Sequence, residues 1–101
     1  DVAPLVINDR TMLPARFVAE NLGADVQWDA DKECVIIDGR NRYIELFVGS
    51  NFAKVDGEPQ ALDSAPFIEN GRTYCPVRFI CEALGADVEW IEESQRVVIR
   101  G

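Results

Sequence analysis

Apolar and polar positions change rhythm along this chain, and the same change recurs 62 residues later. In "NGRTYCPVRFICEALGADVEW", Asn70 to Trp90, the residues Val77, Ile80, Cys81 and Leu84 fall at the helical spacing i, i+3, i+4, i+7. In "NDRTMLPARFVAENLGADVQW", Asn8 to Trp28, that stripe is Ala15, Val18, Ala19 and Leu22. A proline stands before each stripe, where a fixed φ and a missing N–H suit the first turn of a helix. Short helices are therefore predicted over 14–22 and 76–84. Gly23 and Gly85 follow the last apolar residue, so each is expected at positive φ as a left-handed cap. Phe17 and Phe79 project from the far side of the stripe, which predicts helices wrapped by sheet rather than lying on the surface.

Around these stripes the period falls to two. Val88 and Trp90 alternate with Asp87 and Glu89, and "RVVIR" returns after the polar turn "IEES", the pattern of a half-buried hairpin. "PFIE" and "RTYC" flank Asn70-Gly71, a pair that supplies the positive backbone angles of a tight turn. The first copy has Asn8-Asp9 there, a weaker turn signal. Between the copies, "RYIELFVGS" and "FAKVDGEPQAL" read as further strands, with Asp56-Gly57 as a second hairpin turn.

Residues 3–37 and 65–99 match identically at 17 of 35 positions, which include turn, cap and core residues. Two copies are too few for a solenoid. The expected arrangement is one pseudo-symmetric domain over 1–101, with two strand–turn–strand–helix–hairpin repeats joined by linking strands within 40–64. Its class is α+β, an antiparallel sheet curled around short helices.

Composition narrows the chemistry. A chain of 101 residues with 48% hydrophobic positions can bury a modest core. No apolar run is long enough to cross a bilayer, so membrane insertion is not expected. The formal net charge of −8 repels nucleic acid and anionic lipid alike. The sequence has no histidine, which removes the commonest general base and metal ligand. Three cysteines without CxxC spacing are not a disulfide framework. Cys75 aligns with Leu13 and Cys81 with Ala19, so both are expected to serve as small hydrophobes. Cys34 aligns with Arg96, which predicts an exposed, reactive thiol. The chain opens at Asp1 and its one methionine is Met12, as expected of a piece of a longer protein.

Few residues stand out as sites. Trp28 and Trp90 share a strand face with Val26 and Val88, so core packing is expected and sugar stacking is the alternative. Arg10 and Arg72 follow the turn in each copy; turn chemistry is expected, with an anion or glycan contact as the alternative. Arg16/Glu20 and Arg78/Glu82, four apart on a helix, predict surface ion pairs. "DADKE", Asp29 to Glu33, lacks the spacing of a calcium loop and reads as a solvated hairpin turn. No spacing selects two of the 18 acids as a glycosidase pair. Neither a catalytic group nor a metal or cofactor ligand set is signalled.

The phrases "NGRTYCPVRFICEALGADVEW" and "YIELFVGSNFAKVDGEPQALDSAPFIENGRTY" resemble the N-terminal stalk domain of copper amine oxidases. They are similar, more closely, to the related repeat modules of surface and secreted proteins in Gram-positive bacteria. The resemblance runs from about Pro4 to Ile99 and includes Val48-Gly49-Ser50 and Val55-Asp56-Gly57 in the link. It implies an antiparallel sheet around helix, placed outside the cytoplasmic membrane. It does not imply copper chemistry, because the family's oxidase activity resides in a separate domain that supplies histidines. Three function classes then compete: a noncatalytic extracellular stalk or spacer that positions or docks on other domains of its parent protein, a module that binds cell-wall polymer or carbohydrate, and an enzyme fragment. The first is favoured, with no cofactor.

Overall fold

The computed structural model describes residues 4–91 and 96–100, and for 87–91 and 96–100 the backbone alone. The first repeat runs β1 (Leu5–Ile7), β2 (Arg10–Pro14), α1 (Ala15–Asn21), β3 (Asp25–Asp29) and β4 (Cys34–Gly39). The link supplies β5 (Arg42–Phe47), β6 (Phe52–Val55) and β7 (Glu58–Ala61). The second repeat follows as β8 (Phe67–Glu69), β9 (Arg72–Pro76), α2 (Val77–Ala83), β10 (Asp87–Ile91) and β11 (Arg96–Arg100). The path is the one the repeat predicts, and the fold is α+β with antiparallel pairing throughout.

The repeats meet as the halves of a symmetric dimer do. Strand order in the four-stranded sheet is β1-β2-β9-β8. At its centre Met12 faces Pro76, Leu13 faces Cys75 and Pro14 faces Tyr74. Leu13 and Cys75 are equivalent positions, so a pseudo-twofold axis passes between them, and each residue meets its own counterpart as in an isologous interface. The Cys75 thiol lies 3.6 Å from the Leu13 carbonyl oxygen, which accepts its weak hydrogen bond. Outside this sheet lie a five-stranded sheet, β3-β4-β5-β6-β7, and the β10-β11 hairpin.

The turns form for local reasons. Asn8-Asp9, Arg40-Asn41, Asp56-Gly57 and Asn70-Gly71 all hold positive φ at both residues, as two-residue hairpins of this twist require. Asn8-Asp9 makes the same turn as Asn70-Gly71 despite lacking glycine. Asp29 stabilises the turn after β3 by accepting the Asp31 and Lys32 amide N–H groups at 3.0 and 3.3 Å. This is the solvated polar turn expected of "DADKE".

Each helix has seven residues, too few to persist alone in water. Its proline occupies the cap position just before the first turn, still in extended geometry. The C-termini close identically. Gly23 N–H donates to the Glu20 carbonyl at 3.0 Å and Ala24 N–H to the Ala19 carbonyl at 2.9 Å. Gly85 and Ala86 repeat this with Glu82 and Cys81 at 3.1 and 2.7 Å. These are Schellman motifs, with φ of +84° at Gly23 and +75° at Gly85. Replacing Gly85 with valine is expected to cost about 1 kcal/mol or more, since a β-branched residue is strained in the left-handed conformation. Chemical denaturation measures it; an unchanged midpoint would mean that the helix terminates by another device.

Both helices bury their predicted stripes in one apolar cluster. Leu13, Val18, Ala19 and Leu22 enter it from the first repeat, Ile44, Leu46 and Ala53 from the link, and Cys75, Ile80, Cys81 and Leu84 from the second. One residue outside the repeats ties the helix ends together. The Arg40 guanidinium donates to the Leu84 carbonyl at 2.8 Å through Nε and to the Leu22 carbonyl at 3.4 Å through Nη1. Those carbonyls terminate α2 and α1, where a cation is favoured by the helix dipoles. Three expectations need correction. Cys34 is fully buried rather than exposed, because β4 has β3 on one side and β5 on the other. Trp28 is not a core residue: it stands 45% exposed on β3, an edge of its sheet. Phe17 is exposed as well, so α1 is covered on its stripe only, while Phe79 packs half-buried against the core.

Candidate functional site

The symmetry builds two related surface grooves. In each, the helix of one repeat faces the hairpin of the other. The second groove has Pro14, Ala15, Arg16, Phe17 and Glu20 from α1 and its cap, with Ile68, Gly71, Arg72 and Thr73 from the β8–β9 hairpin. The first groove has the counterparts of all nine, Pro76, Val77, Arg78, Phe79 and Glu82 with Val6, Asp9, Arg10 and Thr11. Each is the same position shifted by 62 residues. Exposure of Val6 and Ile68, an unusual use of apolar side chains on edge strands, is thus explained: each forms one lip of a groove.

Further described residues line each groove. The first is lined also by the chain's own Gln60, Ala61, Leu62 and Asp63 and has a volume of about 860 Å³. Asp63 Oδ2 accepts from Arg10 at 3.0 Å through Nε and 2.9 Å through Nη2. The second is floored by Val26, Gln27, Trp28 and Val35 and has a volume of about 520 Å³, within the range of natural ligand sites. Arg16 there pairs with Glu20 at 3.1 Å. Arg72 has neither an ion pair nor a side-chain hydrogen bond among the described residues. Arg78 pairs with Glu82 at 3.9 Å on the other helix. These exposed pairs contribute a few tenths of a kcal/mol each.

Of the four candidate contacts read from the sequence, Arg72 and Trp28 therefore come together in one open groove. Arg10 sits in the other, engaged by Asp63. The side chain of Trp90 lies outside the described residues. Sequence reasoning passed over Ile68, Phe17 and Asp63. The equivalence of Ile68 with Val6, both apolar beside a hairpin turn, was the signal that could have found the lip.

The groove offers aromatic, aliphatic and guanidinium surface, with the Thr73 hydroxyl and a Glu20 carboxylate that pairs with Arg16. The cysteines lie in the core. Burial, then the Asp29 and Glu45 carboxylates, pushes the Cys34 thiol up, with Lys32 opposing. Burial raises Cys75 well above its usual range, and burial with Glu82 raises Cys81 to about 11. Such thiols stay protonated and inert at neutral pH. Above the ordinary thiol pKa of about 8.5 the unfolded chain loses protons that the folded chain keeps. Stability contributed by the buried thiols is therefore complete below that pH and falls as pH rises toward 11. The slope is up to about 1.4 kcal/mol per pH unit for each thiol. Denaturation midpoints measured under reducing conditions from pH 8 to 10 should fall, and Cys81→Ala, which copies Ala19 of the other repeat, should flatten the decline. An equal decline in both proteins would refute this assignment.

A histidine-free sequence fits copper(II) poorly, since imidazole nitrogen is its usual protein ligand. Among the described residues no three cysteine or carboxylate side chains gather as a metal site either. No helix among them is long and apolar enough to cross a membrane.

Fold and groove define a class: a two-repeat α+β module that carries two related surface grooves. The chain belongs to the copper amine oxidase N-terminal domain family, whose model matches residues 1–99. That domain is noncatalytic in the oxidases. The chain is also 33% identical over 90 residues to a protein of Brevibacillus choshinensis named "Protease inhibitor". The match covers 86% of this chain and 27% of that relative, so the chain spans about a quarter of its length.

Proposed function

We propose that this chain is a noncatalytic extracellular module of a larger cell-surface or secreted protein, which spaces its neighbours and docks on them. One observation carries the reading: the groove brings exposed Trp28, Phe17 and Ile68 together with Arg72, while its one carboxylate, Glu20, is engaged by Arg16. Aromatic and arginine side chains are the ones that anchor protein contacts. The noncatalytic role of the family's N-terminal domain supports it, as does the match to a fraction of a longer relative. The net charge of −8 suits a soluble module that resists nonspecific adhesion to anionic polymers.

Exposure of Trp28 favours a second reading, binding of cell-wall polymer or carbohydrate by stacking on the indole. A binding screen against purified cell-wall fractions and glycans at physiological salt separates the two. Saturable binding lost in Trp28→Ala would establish the carbohydrate reading. Amine-oxidising turnover by the isolated chain, or copper(II) held stoichiometrically after dialysis against a mild chelator, would defeat the noncatalytic reading.

A further inference from the structure

We infer that the outward face of the five-stranded sheet is a docking surface for an extended basic segment of a partner polypeptide, one that carries an arginine or lysine between two apolar residues at alternate positions. This face is separate from the two grooves. Strands β4 to β6 turn Val35, Ile37, Ile44, Leu46, Ala53 and Val55 inward, where all are buried. On a sheet with one solvated face the alternate positions are ordinarily polar. Here β5 presents Tyr43 and Phe47 instead, and β6 presents Phe52. Tyr43 is 42% exposed and Phe52 58%, while Phe47 is half-buried. Ile36, half-buried on β4, extends the apolar surface. Apolar side chains gathered on an exposed face mark a contact surface.

The charge at the centre of this face selects the partner. Glu45 lies between Tyr43 and Phe47 on the same side of β5 and is half-buried. Successive outward residues of a strand are about 7 Å apart, and neighbouring strands about 4.8 Å. Lys54 is directly across from Glu45 on β6, yet the two form no ion pair among the described residues. A cation held by the Glu45 carboxylate comes within reach of the aromatic rings on either side, and a ring attracts a cation within about 6 Å of its centre. An apolar residue, a base and an apolar residue at i, i+2 and i+4 of an extended segment therefore match Tyr43, Glu45 and Phe47 in spacing and in chemistry. A second copy of this chain does not fit. Asp25 and Asp38 continue the row of Tyr43, and with Glu45 they outnumber Lys54, so two copies face to face would oppose like charges.

The test is a titration of the full chain with a capped peptide, Leu-Thr-Arg-Thr-Leu, followed by NMR. Saturable shifts at Tyr43, Glu45, Phe47 and Phe52 are expected, with a dissociation constant below about 1 mM. Phe52→Ala and Glu45→Gln should each weaken binding about fivefold or more, and so should glutamate in place of the peptide's arginine. Glu69→Gln removes the same charge from β8, in the other sheet, and should leave the affinity unchanged. Raising the ionic strength from about 0.1 M to about 1 M should weaken binding severalfold, since the screening length falls from about 10 Å to about 3 Å. No saturable shift, or shifts confined to the two grooves, would overturn the proposal. So would equal losses in Glu45→Gln and Glu69→Gln, which would reduce the attraction to the net charge of the chain. An oligosaccharide that shifts Tyr43 and Phe52 where the peptide does not would assign the face to carbohydrate and reject a polypeptide partner. None of these outcomes touches the noncatalytic reading, which only turnover or bound copper(II) would defeat.

Discussion

Truncating Ile44 to alanine is expected to cost about 2–5 kcal/mol. Ile44 is wholly buried in β5, with Ile37 directly across on β4 and Val55 across on β6. All three belong to the cluster that both helices also enter. The loss has two parts: the transfer of the removed methyl and methylene groups, and a cavity that a strand held on both sides cannot close. A domain of this size is stable by only about 5–15 kcal/mol, so the variant should unfold at far lower denaturant or lose its fold at moderate temperature. Ile44→Val, which leaves most of the volume filled, should cost about 1 kcal/mol. Equal midpoints for the two variants would show that the site collapses freely and that the cluster is not one packed core.

The second large effect is expected at Gly39. A Cβ added there would lie 2.6 Å from Ala24 Cα and 2.7 Å from Ala24 Cβ. The first of those atoms is backbone, so no rotamer change relieves the clash. Ala24 is also the residue whose N–H closes the Schellman motif of α1 on the Ala19 carbonyl. Displacing it disturbs the helix end as well as the β3–β4 pairing. Gly39→Ala should therefore cost about 3 kcal/mol, the upper range of overpacking, in a denaturation experiment. Gly23 provides the contrast. Nothing lies within 4 Å of an added Cβ there, so Gly23→Ala carries only the strain of its φ of +84°, about 1 kcal/mol. Combining Gly39→Ala with Ala24→Gly should restore part of the loss, because it removes the methyl group at 24 and leaves the clash with the backbone. Full restoration, or none, would show that the close approach to Ala24 is not the cause.

Much of this protein could be read along the chain because its determinants are local. A left-handed glycine after a four-residue apolar stripe ends a helix wherever it occurs, and Asn70-Gly71 turns a hairpin without help from the core. The repeat then predicts the order of elements twice over, and each helix buries the stripe assigned to it. Its resemblance to the N-terminal domain of copper amine oxidases was legible for the same reason, since the turn, cap and tryptophan residues that carry it are close together in sequence.

What lay beyond the sequence was the cover over each face. Alternation places Val26 and Trp28 on one side of β3, yet only neighbours in space determine that Val26 is half-buried and Trp28 stands in an open groove. Equivalence with Arg96 suggested an exposed Cys34, but the linking strand β5 lies against β4, and no such strand pairs with β11 among the described residues. The link breaks the symmetry a second time, when its last residues carry Asp63 to Arg10 and leave Arg72 without a described counterpart. It breaks it a third time at Arg40, one side chain that serves the carbonyls of both helix ends. Local turn and cap chemistry acts over a few residues and survives duplication, so the sequence by itself determined the two repeats and their elements. Burial depends on which distant segment lies across a face, so only the tertiary structure decided that Cys34 is buried and that Trp28 and Phe17 stand exposed along a groove.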